Sequence, residues 1–226
     1  MSEIIQNITV MALPLLFAIT LHEAAHGWAA SKLGDNTAKM MGRVSFNPLV
    51  HIDPFGTVLL PALLILSGSG FLFGYAKPVP VNFGALNNPR RDMVLVALVG
   101  PGANILLIIV AALLLNFLDI IPGFANEWIG LNLFYMILIN AILAVFNMLP
   151  IPPLDGGRVA VGILPPALAR PLSRLEPYGM LILIALIFII PMAGSYLGYN
   201  LSIFQYVIGP PVELIVGWAE QLAKIF

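Results

Sequence analysis

ITVMALPLLFAITLHEAAHGWAASKLG, residues 8–34, decides how the rest of the chain is read. Residues 8–21 are almost uninterrupted apolar sequence, and Ala24, Ala25, Trp28 and Ala30 carry a helix-compatible run on to Gly34, a residue suited to end a helix. The run is long enough to cross a hydrocarbon core of about 30 Å. Its second half nevertheless holds two histidines and a glutamate. Ionisable groups at membrane depth are costly and mark function, so one segment points both to a membrane protein and to a polar site inside it. Residues 1–7 carry Glu3 and no Lys or Arg, unlike the basic start of a cleaved signal peptide, so this first span is expected to stay in the protein.

The whole composition agrees. Of 226 residues, 60% are hydrophobic and 9% charged, which is too apolar for the surface of a soluble domain and unlike disordered, collagen-like or coiled-coil chains. A net charge of -1 with only 10 Lys+Arg offers no basic patch for phosphates, so no nucleic-acid partner is expected. The absence of cysteine rules out a disulfide framework and a thiolate metal site.

Working outward, further apolar stretches cover residues 93–118, 130–149, 178–197 and 201–226, the last interrupted by Gly209-Pro210-Pro211. Residues 57–73 are short, contain Pro61 and are bracketed by Gly56 and Gly68-Ser69-Gly70. Lys32, Lys39, Arg43, Lys77, Arg90 and Arg91 lie between the first span and the one starting at Met93, residues 119–132 have no Lys or Arg, and Arg158, Arg170 and Arg174 follow the next span. The positive-inside rule places these basic residues on the cytoplasmic side and favours a re-entrant or shallow 57–73 over a crossing one. GRVSFNP at 42–48 and KPVPVNF at 77–83 read as short extended segments, since the prolines of the second oppose a helix.

His22-Glu23-Ala24-Ala25-His26 is an HExxH motif. Positions i and i+4 share a helical face, so both imidazoles reach one metal ion, and the adjacent Glu can take a proton from metal-activated water. Average residue usage gives this pattern by chance in on the order of one chain in a hundred of this size. The second constellation runs from Asn147 through Pro150, Pro152 and Pro153 to Asp155-Gly156-Gly157-Arg158. Three prolines in four positions end the helix, and broken backbone at membrane depth belongs inside the protein or on a wet cavity. Asp155 is then either a third metal ligand or a helix cap. His51, in a turn-rich segment, competes for the ligand role; the rule that intramembrane carboxylates are kept for a partner favours Asp155. Asn104, Asn116 and Asn140 read as helix-to-helix hydrogen-bonding residues, and Trp28, Trp128 and Trp218 as an interfacial belt.

These motifs resemble, in order and over the chain through Arg174, the site-2 protease family of intramembrane zinc metalloproteases, in its compact bacterial form without a PDZ domain. The resemblance rests on His22 to His26, on Gly100-Pro101-Gly102-Ala103-Asn104, and on Asn147 through Gly157. It implies one Zn2+ per chain held by His22, His26 and Asp155, Glu23 as catalytic base, and Asn147 as a holder of substrate or oxyanion. It also implies that the segments around Val44 and Val79 are membrane-embedded β elements. The expected architecture is an all-α polytopic membrane protein with about five to six transmembrane or re-entrant helices and short membrane-associated β segments. It forms one domain over residues 1–226, with a core at 8–174 and C-terminal helices at 178–226. The expected activity is hydrolysis of peptide bonds in or near transmembrane helices of membrane-protein substrates, by a multi-pass protein of the cell membrane. The competing readings are a catalytically silent metal-binding scaffold and a metal transporter. The intact Glu23 opposes the first, and the shortage of further ligand sets opposes the second.

Overall fold

Backbone polar groups in lipid must be satisfied within the chain, which makes helices the natural solution for apolar stretches of this length. The computed structural model describes residues 2–66, 74–202 and 204–224. In chain order its principal helices are α1 (Ser2–Lys32), α2 (Leu60–Leu66), α3 (Pro89–Leu115), α4 (Phe124–Asn147), α5 (Asp155–Ile163), α6 (Pro166–Ser173), α7 (179–196) and α8 (Gly209–Leu222). Among the described residues four segments are long and apolar enough to cross a membrane: Val10–Lys32, Pro89–Leu115, Ala125–Asn147 and Pro166–Tyr196.

Local chemistry sets the boundaries. Gly34 takes a φ of 115°, and the Asp35 N–H reaches back to the Ala30 carbonyl at 2.9 Å, which closes α1 where the sequence places its stop. The span expected from Met93 begins earlier, because Pro89 occupies the first turn of α3 and Asp92 Oδ2 accepts the Asn88 N–H at 2.7 Å. Arg90 and Arg91 therefore belong to the helix, not to a loop.

Helix α3 is central, packing on α1, α4 and α5. Its contacts use small residues: Ala18, Ala24, Ala29 and Ala30 of α1, Ala97, Ala111 and Ala112 of α3, and Ala141 and Ala144 of α4 are buried, while Leu106, Leu114, Phe117 and Phe134 face outward. Lipid gives helices no hydrophobic reason to associate, so close backbone approach and dispersion do that work. Ile108, Ala112, Ile137 and Ala141 join Leu183, Ile187, Ile208 and Val212 in one core cluster, which ties the C-terminal helices to the bundle.

Of the five to six transmembrane or re-entrant helices expected, four are crossing candidates among the described residues. Residues 54–66 comprise six residues of π-helix and the seven of α2, too short to cross, and α8 runs on from the π-helical residues Phe204–Ile208. Residues 67–73 of the 57–73 segment lie outside the described residues. Gly209-Pro210-Pro211 lies where the π-helical residues Phe204–Ile208 pass into α8, and it does not end the helical run.

The segments around Val44 and Val79 do not form the expected β structure; no strand is present among the described residues. Both valines pack on Gly27 of α1, where an added Cβ would lie 2.9 Å from Val44 Cγ2 and 3.1 Å from Val79 Cγ1. In the segment around Val79, side chains have consumed the backbone groups a ladder needs. Pro78 and Pro80 have no N–H, Arg43 donates to the carbonyls of Lys77 and Pro78, Glu23 accepts from Val79 N, and Asp35 accepts from Asn82 N.

Asp35 anchors the far end of this segment. Burial alone pushes its carboxyl up, but hydrogen bonds from the Thr37 hydroxyl and N–H and from the Asn82 N–H outweigh that and hold it below the ordinary aspartate value. A depressed folded value means the stabilisation is full above the ordinary range and fades as pH falls through the folded value. Asp35→Ala should lower unfolding stability by about 1–3 kcal/mol. In detergent unfolding measurements the gap from the parent chain should stay constant from neutral pH down to about 5 and narrow below about 4.

Candidate metal centre

The i, i+4 spacing on α1 sets the rings of His22 and His26 edge to face, 4.6 Å between centroids, against α3 at Gly100. A Cβ at Gly100 would sit 2.3 Å from His26 Nε2 and 2.8 Å from His22 Cε1, so only glycine leaves room for both imidazoles. The third arm comes from the proline turn. Helix α4 ends at Asn147, residues 148–154 reverse the chain through a cis Pro152–Pro153 peptide, and α5 starts at Asp155. Close nesting of α5 on this turn requires Gly156, whose Cβ would meet the Met148 carbonyl oxygen at 2.2 Å. Leu154 is the N-cap, with no side-chain capping bond. Asp155 is therefore not a cap; its carboxylate faces the histidines, at a helix N-terminus that favours negative charge.

The three side chains converge through single atoms. His22 Nε2 and His26 Nε2 are 3.0 Å apart, and Asp155 Oδ2 lies 3.2 Å from the first and 3.3 Å from the second. Ligand atoms about 2.0–2.1 Å from a tetrahedral zinc ion are about 3.3 Å from one another, so the spacing suits that ion. The outer nitrogens fix the tautomers. His26 Nδ1 lies 2.7 Å from the Val96 carbonyl oxygen, and His22 Nδ1 lies 2.7 Å from Asn104 Oδ1. Asn104 is itself oriented, since its Nδ2 donates to Asn140 Oδ1 at 2.7 Å while Asn140 Nδ2 donates to the Met136 carbonyl at 2.7 Å. Read from Met136 inward, each amide can point only one way, and both imidazoles carry their proton on Nδ1. Two Nε2 lone pairs and a carboxylate oxygen then face each other in a buried space. A shared cation resolves that repulsion, and among the described residues these three are the group able to hold one.

Of the other expected site residues, Glu23 is half-buried beside the cluster, and its Oε2 accepts the Val79 N–H at 2.6 Å. Asn147 Nδ2 donates to the Leu143 carbonyl at 3.1 Å and makes no hydrogen bond to His22, Glu23, His26 or Asp155. His51 is outside the cluster, buried with its Nε2 3.0 Å from the Ser45 carbonyl oxygen. Asn104 and Asn140, read from sequence as helix-to-helix hydrogen-bonding residues, do bond each other between α3 and α4, and together they form the amide pair behind His22. The clue available in the sequence was that a histidine at membrane depth needs an acceptor for its second nitrogen. The Val79 N–H gave no such clue, because a backbone group has no residue type.

Comparisons with known proteins point to a family of zinc-dependent proteases. The family model for Peptidase family M50 matches residues 123–190. YwhC of Bacillus subtilis, described by its name as a zinc metalloprotease, is 37% identical over 193 residues, 82% of this chain and 82% of its own length. The chain belongs to Peptidase family M50. Other M50-like relatives with zinc metalloprotease names include Rip2 of Mycolicibacterium smegmatis, 32% identical over 76% of this chain and 64% of that protein, and Rip2 of Mycobacterium tuberculosis, 30% identical over 84% and 71%. No solved structure matches the chain. The M50 assignment makes the protein a zinc-dependent metalloprotease, and the donor set of two imidazoles and one carboxylate is the chemistry of a catalytic zinc site that keeps a position for water.

Gly100→Ala should reduce bound zinc from one per chain toward none, by metal analysis of the purified protein, with helix content unchanged by circular dichroism. Asn104→Leu, which leaves His22 Nδ1 without its acceptor, should weaken zinc binding about 10–100-fold in a chelator competition.

Proposed function

We propose that this M50 protease cuts peptide bonds within, or at the edge of, transmembrane helices of other membrane proteins, with its site open to the cytoplasmic side of the cell membrane. The observation that carries the reading is the position of the donor cluster. His22 and His26 are buried within the spanning segment Val10–Lys32, against a second spanning segment at Gly100. The basic residues Lys32, Lys39 and Arg43 follow this end of α1 and mark it as cytoplasmic.

In this mechanism His22, His26 and Asp155 would hold the metal. Zinc bound there would lower the pKa of water and polarise a carbonyl. Glu23, next in sequence to His22, accepts the proton of the attacking water and returns it to the leaving amine. Asn147 is the proposed amide donor to the developing oxyanion, a role worth about 2.7–4 kcal/mol in comparable sites. To serve, it exchanges its bond to the Leu143 carbonyl for one to the substrate.

A helical substrate hides its carbonyls in its own hydrogen bonds and must unwind locally. The loop residues around Val44 to Phe46 offer a place for the unwound strand. Val44 sits on Gly27, one turn along α1 from Glu23, and Phe46 is exposed beside it. Backbone pairing there would bind many sequences without strong side-chain choice.

With a purified single-span substrate in detergent, cleavage should disappear on chelation and return with zinc. Glu23→Gln should abolish cleavage while keeping zinc near one per chain; turnover by that variant would remove Glu23 from the role of base.

A further inference from the structure

Glu23 is tethered by a part of the chain 56 residues away, and the tether is a single peptide unit. The N–H of Val79 meets Glu23 Oε2 at 2.6 Å, while the oxygen of that same peptide unit, the Pro78 carbonyl, is 3.3 Å from Arg43 Nη2. One amide thus lies between a buried guanidinium and a carboxylate, polarised in the same sense by both. Arg43 is 8% exposed and also donates from Nη2 to the Lys77 carbonyl at 2.7 Å and from Nη1 to the Val50 carbonyl. Its planar fork bridges the two halves of the loop between α1 and α3, a task an ammonium group can copy only in part.

The sequence around the amide limits what it can do. Pro78 and Pro80 flank Val79, so Val79 supplies the only N–H in three residues, and both Lys77 and Val79 precede a proline and are biased to extended backbone. The valine side chain rests on Gly27, and Asp35 holds the Asn82 N–H three residues on. The segment is therefore fixed on each side of the one donor it presents.

We propose that the Val79 backbone N–H orients Glu23 and that Arg43 is the positioning residue that keeps this N–H in place. With Oε2 committed to the amide, the carboxylate is held from rotating and Oε1 is the oxygen left for water. The inference rests on the reading of Glu23 as the base.

The test uses the full chain in detergent with the single-span substrate, reading kcat, KM and zinc per chain. Val79→Pro removes the N–H and keeps an extended backbone, whereas Val79→Ala keeps the N–H and removes the packing on Gly27. The proline variant should lose at least about tenfold more kcat than the alanine variant, with KM and zinc content preserved. Arg43→Met should show the same selective loss in kcat, partly rescued in Arg43→Lys. Equal kcat in the two Val79 variants would overturn the proposal. So would losses in both Val79→Pro and Arg43→Met that fall on KM or on zinc, since the segment would then be supporting substrate or metal. Glu23→Gln in the same assay separates the two failures. If that variant is active, the base assignment has failed; if it is inactive while Val79→Pro retains kcat, only the orienting role has failed.

Discussion

Two imidazole nitrogens with lone pairs and one carboxylate oxygen, all within 3.3 Å of each other inside an apolar helical bundle, repel unless something positive lies between them. Much of the surrounding architecture can be read as the means of enforcing that meeting. Gly100 lets α3 come close enough to press on both rings, and Gly156 lets α5 nest on the proline turn so that Asp155 reaches both histidines. The Nδ1 atoms are occupied by Asn104 and the Val96 carbonyl, which leaves Nε2 of each ring to face the shared space. No single contact makes the site; four helices must be in register for three atoms to converge.

The same rule, that polar groups at membrane depth need partners, explains the loop between α1 and α3. Its extended residues would ordinarily seek a strand neighbour. Here the side chains of Glu23, Asp35 and Arg43 serve as that neighbour, so the backbone is satisfied without a sheet. The outcome is a segment coupled directly to the carboxylate beside the metal cluster. Asn104 and Asn140 apply the same rule behind His22, where two amides with no freedom to flip transmit an orientation from the Met136 carbonyl to His22.

Much of this was legible from residue types alone. The apolar runs gave the helical membrane class, and the HExxH spacing with the proline-broken Asp155 segment gave the three converging side chains, because helix periodicity and membrane cost act locally. What was not legible depended on tertiary partners. The start of α3 at Pro89 hid behind two arginines that looked like loop charges, although Asp92 and Pro89 carry a helix-start signal. Val44 and Val79 looked like strands because extended backbone reads the same whether its partner is another strand or a side chain. Asn140 looked like any buried amide until its neighbour proved to be Asn104, and Asn147 still spends its amide on its own helix.

The central claim is that a cation joins α1 to the proline turn through His22, His26 and Asp155. X-ray absorption at the zinc edge on the purified, zinc-loaded chain tests it most directly, compared with an Asp155→Ala variant of the same helix content. The account predicts a low-coordinate site with two imidazoles and oxygen ligands at about 2.0–2.1 Å, and a changed ligand shell with much weaker binding in the variant. An unchanged spectrum and undiminished zinc affinity in Asp155→Ala would contradict it.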